Sequence, residues 1–260
     1  MVHVVASNHV AAASLGSGFN PAYLADGGLG AWYRADDGVS SGAQWNDSSG
    51  NGNHAIQATA INRPTYVASA IGGMPAYRGR ADGVNNSLLE APDSPTLKYA
   101  EYTAFAVGSR LTDLNASEHI AGRYETTGNM REQRLYIDGT AERFVSVVSQ
   151  DGSSGTIAFL NPAVPAATVA TPFIVMGAFT KAFAQPTSIL QINRGAQTLN
   201  TTSNAVYNGS GTLTLFGRAG LADPYAGYLA EYILFRRFLS DFERFQIWAY
   251  LSAKYGIVIS

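Results

Sequence analysis

The chain has 260 residues, of which 46% are hydrophobic and only 14% charged, with a formal charge of −2, 27 glycines and no cysteine. That balance excludes an electrostatic footprint for nucleic acid or an anionic membrane, and it excludes a disulfide framework and a thiolate metal site. It fits one β-rich domain with long polar loops, a length that sandwich folds reach as a single unit.

Residues 1–20, MVHVVASNHVAAASLGSGFN, lack the basic start and continuous apolar run of a signal peptide. No stretch of the chain approaches the ~20 apolar residues of a spanning helix. This segment reads as an N-terminal arm or linker with a strand candidate at 2–5, which would order by pairing with a neighbouring subunit. The domain is expected over 21–260. It opens with GLGAWYRADDG, a strand carrying Trp32 that closes on Asp36, Asp37 and Gly38. Next comes QWNDSSGNGNHAIQ, where Trp45 precedes a run of Asn, Asp, Ser and Gly, and Gly50 or Gly52 must supply a positive φ.

Short extended pieces are predicted at 65–67, 75–78 and 87–90, and a clearer strand at 102–107. Leu135-Tyr136-Ile137 followed by Asp138-Gly139 predicts a hairpin with a two-residue type I′ turn. Further strands are expected at 156–159, 173–179, 189–192, 197–199 and 213–216, with Asn193-Arg194-Gly195 turning a second hairpin. About a dozen strands with no βαβ alternation argue for an antiparallel sandwich.

The chain closes on YLAEYILFRRFLSDFERFQIWAYLSAKYGI. Apolar residues on both faces of 228–235 predict a strand covered from both sides, with Glu231 as the exception. Ser240 followed three residues later by Glu243 is a capping box, and Gly256 stands where a helix should stop. Phe242, Phe245, Trp248 or Ala249, and Leu251 or Ser252 recur at helical spacing as the expected buried face of that helix.

These motifs together, from GLGAWYRADDGV and WNDSSGNGNHAIQ through RPTY, ADGVNNSL and YTAFAVGSR to the closing strand and helix, resemble the concanavalin A-like, laminin-G-like jelly-roll domains of bacteriophage virion proteins and bacterial surface proteins. The resemblance covers roughly residues 29–257. It implies an all-β, antiparallel two-sheet jelly-roll sandwich with one C-terminal helix. It also implies a non-enzymatic virion surface protein, a head-decoration or fibre component on the phage particle, with host-surface glycan adhesion as an activity. The partners would be other virion proteins, bound through the arm, with homo-oligomers on the particle. The alternatives are a carbohydrate-binding module of a secreted bacterial protein and, behind it, a glycoside hydrolase or lyase. Fold alone does not choose among them.

Hydrolysis needs two facing carboxylates. Glu231 stands alone in its strand, and Glu118, Glu125, Glu132 and Glu142 are scattered, so no catalytic residue is assigned. His3, His9, His54 and His119 lack metal-ligand spacing. For glycan contact the candidates are Tyr225, Tyr124, Tyr66 and His54, with Tyr77 and Tyr207 also near predicted loops; Tyr225 follows Asp223-Pro224 and is expected to be the most exposed. Trp32, Trp45 and Trp248 are assigned to the core. No cofactor is required. Calcium is the one metal considered, with Asp36, Asp37, Asp47 and Asn51 as hard oxygen ligands, against a bland reading in which Asp and Asn beside Gly bond their own backbone.

Overall fold

The computed structural model describes residues 19–24, 26, 28–37, 41–83, 85–160, 168–201 and 203–260. The strand candidate at 2–5 and most of the arm lie outside them. The first strands are β1 Leu29–Arg34, β2 Gln44–Trp45, β3 Ala55–Ile56, β4 Thr65–Ile71, β5 Met74–Arg78, β6 Leu89–Ala91, β7 Tyr102–Arg110 and β8 Ser117–Glu125. They are followed by β9 Met130–Asp138, β10 Arg143–Ser149, β11 Ile157–Leu160, β12 Pro172–Thr180, β13 Thr187–Ile192, β14 Thr198–Asn200, β15 Leu213–Leu215 and β16 Gly227–Phe235. Among the described residues one α-helix, α1, covers Asp241–Tyr255.

The strands form two eight-stranded sheets with antiparallel pairings. The first runs β14-β13-β12-β7-β16-β5-β4, with β1 also paired to β16. The second runs β11-β10-β9-β8-β15-β6-β3-β2. An all-β two-sheet sandwich with a C-terminal helix is therefore what the chain forms. Its interior layer between the sheets holds Tyr33, Trp45, Tyr77, Leu135, Phe173, Leu229 and Tyr232. A second layer, of Trp32, Phe105, Ile174, Ile233, Phe235, Ile247, Trp248 and Leu251, lies between the first sheet and α1. The first sheet is thus covered on both sides, which is why all nine residues of β7 are buried.

Strand β16 carries this three-layer arrangement. Its register against β7 slips between Leu229 and Glu231. The bulge at Ala230 lets Leu229 and Tyr232 face the second sheet while Ala230 and Ile233 face the helix. The helix begins as its sequence dictates: Ser240 accepts a bond from the Glu243 N–H, and the Glu243 carboxylate accepts one from the Ser240 N–H at 2.8 Å. Arg237 grips the same carboxylate and, with those cap bonds, holds its pKa at about 2. Gly256, at φ 65°, ends the helix, and its N–H bonds Ser252 O.

Three details differ from the expectation. The buried stripe of α1 is Arg244, Ile247, Trp248, Leu251 and Tyr255, so Phe242 is 68% exposed and Phe245 only half-buried. Phe242 sits a quarter-turn or more off that stripe, on the solvent side. The β9–β10 hairpin pairs Asp138 with Arg143, leaving a four-residue loop with Glu142 at φ 52° in place of a two-residue turn. Finally β8, SEHIAGRYE, is a full strand that the hydrophobic pattern does not announce. The β13–β14 turn does follow its sequence, with Asn193 and Arg194 at φ 46° and 57°.

Candidate functional site

The structure places the nominated aromatic residues separately. Tyr225 is fully buried, which corrects its assignment as the exposed one: its ring packs against Phe216 and lies close to the bare backbone of Gly108 and Gly227, and burial pushes its hydroxyl pKa well up. A β-carbon at Gly227 would run into that ring. Tyr66 and Tyr207 are half-buried, Tyr66 packing edge-on against the buried Tyr77 at 5.6 Å. Tyr124 is also half-buried and lies under two guanidinium groups, Arg134 at 5.3 Å and Arg218 at 5.9 Å. Trp32, Trp45 and Trp248 are core residues as expected.

The acidic residues do not converge either. Asp47 is the hub of its loop: Oδ1 accepts from the N–H of Trp32 and Ser49, both at 2.9 Å, and Oδ2 from Ser49 Oγ at 2.7 Å and the Asn53 N–H at 3.0 Å. Asn51 donates to Leu29 O at 2.6 Å, Asp37 pairs with Arg34 and Ser48, and Asp36 pairs with Lys254 at 2.9 Å. Among the described residues no three His, Asp or Glu side chains gather as a metal cage. Asp36, Asp37, Asp47 and Asn51 each make hydrogen bonds or ion pairs within the protein, as turn and strap residues do. Exposed His54 shares in this, its Nδ1 accepting the Asp47 N–H at 3.1 Å.

Three of the five glutamates left unexplained by the sequence, Glu231, Glu118 and Glu132, are bound in the interior. Glu231 is fully buried and accepts from Trp32 Nε1 at 2.6 Å, Lys254 Nζ and Tyr255 Oη at 2.8 Å and Tyr250 Oη at 3.0 Å, tying α1 to β1 and β16. Glu118 accepts from Arg110 Nε at 2.6 Å, an ion pair that joins the two sheets. Glu132 stands 3.0 Å from Arg123, and burial raises its carboxyl pKa to about 8 against that cation. His119 is no loop residue: it is buried on β8 between Arg134 and Thr214, and burial holds it neutral. None of these acids pairs with a second carboxylate on an open groove.

An open cleft exists elsewhere, where the first two turns of α1 meet the β13–β14 turn. It has a volume of about 270 Å³. Asp241, Arg244, Phe245 and Trp248 come from one helix face, at spacings of three, four and seven. Gln191 comes from β13, Arg194 and Gln197 from the turn, and Ser260 closes the rim. The turn is fixed from several sides: Asn193 Oδ1 accepts the Ile174 N–H at 2.8 Å, Gln191 donates to Gly195 O at 2.6 Å, and the Ser260 N–H bonds Asn193 O at 3.1 Å. Arg194 is exposed, lies 5.0 Å over the Phe245 ring and donates to the Ser260 main-chain oxygen at 2.9 Å. Arg244 is held rigidly by Leu239 O at 2.7 Å and by Asp241, and burial lowers its pKa. Trp248, almost wholly buried, also lines the cleft, with its ring edge-on to Phe105 at 5.3 Å. The arrangement offers guanidinium and amide donors, one carboxylate acceptor and aromatic surface in a space suited to a small polar ring. Sequence reasoning assigned Phe245 and Trp248 to packing alone. The mixed helix face was visible in the sequence, but not that a distant turn would stand opposite it.

No family model matches the chain, and no curated protein matches it. Solved structures do. The binding domain of Paraclostridial Mosquitocidal Protein 1 aligns with a TM-score of 0.63 at 13% identity, over 85% of this chain and 52% of that one. The binding domain of botulinum neurotoxin DC in complex with SialylT gives 0.61 at 11% identity, over 86% and 52%. Trypanosoma rangeli sialidase in complex with 2,3-difluoro-KDN gives 0.55 at 14% identity, over 88% and 33%. The chain thus spans about half the length of the two binding domains and a third of the sialidase. At these identities the likeness is one of fold, a β-sandwich shared by binding domains and by part of an enzyme.

Proposed function

We propose that this chain is a non-catalytic carbohydrate-binding domain and that the cleft between α1 and the β13–β14 turn holds the sugar. The observation that carries the reading is the cleft's lining: donors and an acceptor fixed by their own hydrogen bonds around aromatic surface, the combination that orients a hydroxylated ring. The fold neighbours support it, since one is a binding domain in complex with SialylT and another an enzyme holding a sugar analogue. They favour the binding-module expectation over the virion one; the neighbours named above are toxin binding domains and a sialidase, and the phage role rests on the sequence resemblance alone. Binding without cleavage follows from the acids. Among the described residues, Asp241 is the only acidic side chain lining the cleft, and hydrolysis of a glycosidic bond ordinarily takes two such groups.

A glycan array with the wild-type protein and with Phe245→Ala and Gln197→Ala tests this. Both residues are at least partly exposed, so both variants should fold. Binding to a defined set of glycans, weakened at least about fivefold in each variant, is the expected result. Equal binding by all three proteins would move the site out of the cleft, and release of reducing ends from any bound glycan would overturn the non-catalytic reading.

A further inference from the structure

We propose that Lys254 and Asp36 join in a spontaneous isopeptide bond, with Glu231 as the acid–base group that assists it. This is independent of the carbohydrate reading and concerns the end of α1 away from the cleft. The fold brings three distant residues together there. Strand β1 pairs Arg34 with Glu231, so Asp36 stands two residues beyond that pair, and the last turn of α1 carries Lys254 to both acids. Lys254 Nζ lies 2.9 Å from Asp36 Oδ1 and 2.8 Å from Glu231 Oε2. One nitrogen thus touches a carboxyl that can be attacked and a second that can carry its protons.

Burial separates this cluster from an ordinary surface ion pair. Lys98 and Asp93, at 2.7 Å, have side chains 32% and 31% exposed, whereas the Lys254 side chain is 11% exposed and that of Glu231 not at all. Aromatic groups enclose it. Nζ lies 5.5 Å from the centre of the Tyr250 ring and 5.3 Å from that of Tyr255, and Phe19 packs on Tyr250 at 5.9 Å. Glu231 is fixed by Trp32 Nε1 at 2.6 Å and by Tyr255 Oη at 2.8 Å. Holding amine and carboxyl in contact supplies the proximity that amide formation lacks in water, and the enclosure keeps out the water that would reverse it.

The reaction needs no other reagent. The Lys254 ammonium passes one proton through Glu231 to Asp36, which leaves an amine beside a carboxylic acid. The amine lone pair attacks Asp36 Cγ; Glu231 takes a second proton from Nζ and delivers it to the departing hydroxyl, which leaves as water. One C–N bond forms, one C–O bond breaks, Glu231 returns to its starting state and nothing is oxidised or reduced. The product ties the end of β1 to the end of α1 across 218 residues, a closure that restricts the unfolded chain as any cross-link does.

Intact-mass measurement on the full chain, kept folded for several days after purification, tests this. The wild type should weigh one water less than its sequence, and proteolysis should release a branched peptide joining residues 36 and 254. Lys254→Arg, which keeps the positive charge, and Asp36→Ala, at an exposed position, should both fold and retain the full mass. Glu231→Gln, which keeps an acceptor for Trp32, should slow the loss of water at least about a hundredfold. A wild type at full sequence mass would overturn the proposal and leave the three residues as an ion-pair cluster. A water loss that persists in Lys254→Arg would come from an aspartyl succinimide and would overturn it equally. Bond formation in Glu231→Gln at the wild-type rate would overturn the acid–base role of Glu231.

Discussion

On the outer side of the first sheet, Phe105, Ile174, Ile233 and Trp248 meet under α1, and the one acid there, Glu231, is held by four donors. Strands β8 and β9 of the second sheet bury a different set: Glu118, His119, Arg123, Glu132 and Arg134. Both regions exclude water. The first does so with apolar area, whose burial is favourable in itself. The second does so with charges that are tolerable because they have partners, such as Arg110 for Glu118 and Asp223 for Arg134, while burial keeps Glu132 beside Arg123 largely protonated at neutral pH. An apolar layer degrades gradually when trimmed, whereas an ion pair cut in half leaves a bare charge inside.

The sharpest test of the helix-covered side is Trp248→Ala. The indole is 1% exposed, and its loss should cost about 3 to 5 kcal/mol in a denaturant melt. A cost under about 1 kcal/mol would show the helix to be peripheral. On the charged side, Arg110→Met should cost about 3 kcal/mol by stranding Glu118, which has no exposure. The comparison predicts that adding Glu118→Gln to Arg110→Met recovers part of that loss. A double variant less stable than the single one would mean that the pair is valued for more than mutual neutralisation.

A pH series separates the two regions further. Glu132 has a folded-state pKa near 8, above its ordinary value of 4.5, because burial outweighs the pull of Arg123. A group raised in this way contributes its full stability below 4.5 and loses it as pH rises toward 8. Stability of the wild type should therefore fall across that window, by no more than about 1.4 kcal/mol per pH unit from this group. Glu132→Gln should flatten that part of the profile. An unchanged slope in the variant would assign the pH dependence to another group.

This contrast also explains what could be read from the sequence. The strand at β16, its bulge partner pattern apart, and the capped helix were legible because period-2 and period-3.6 apolar spacing and the Ser240–Glu243 pair are local signals. So was the Asn193–Arg194 turn. Strand β8 was not, since Glu118, His119 and Arg123 look like surface until β7, β9 and β15 bring their partners. Tyr225 followed a Pro-containing turn and read as exposed; its ring is buried where the bare backbones of Gly108, on a sequence-distant strand, and of Gly227 leave room for it. The cleft was half legible. Its helix wall follows from the 241–248 spacing, but its other wall is a hairpin turn some fifty residues earlier, and no local pattern encodes which turn a helix will face.

The smallest expected effect tests whether the helix depends on its own cap or on the layer beneath it. Ser240→Ala removes the acceptor for the Glu243 N–H but leaves Glu243 gripped by Arg237 and by the Ser240 main-chain N–H. A lost cap costs about 1 kcal/mol in a typical helix. Here the retained half of the capping box and the buried stripe from Arg244 to Tyr255 should keep the loss at or below that figure, well under the loss from Trp248→Ala. A larger loss, measured in the same denaturant melt, would show that the start of α1 is set by its cap. The cleft wall formed by Asp241, Arg244 and Phe245 would then be only as ordered as that first turn, and glycan affinity should fall in Ser240→Ala along with stability.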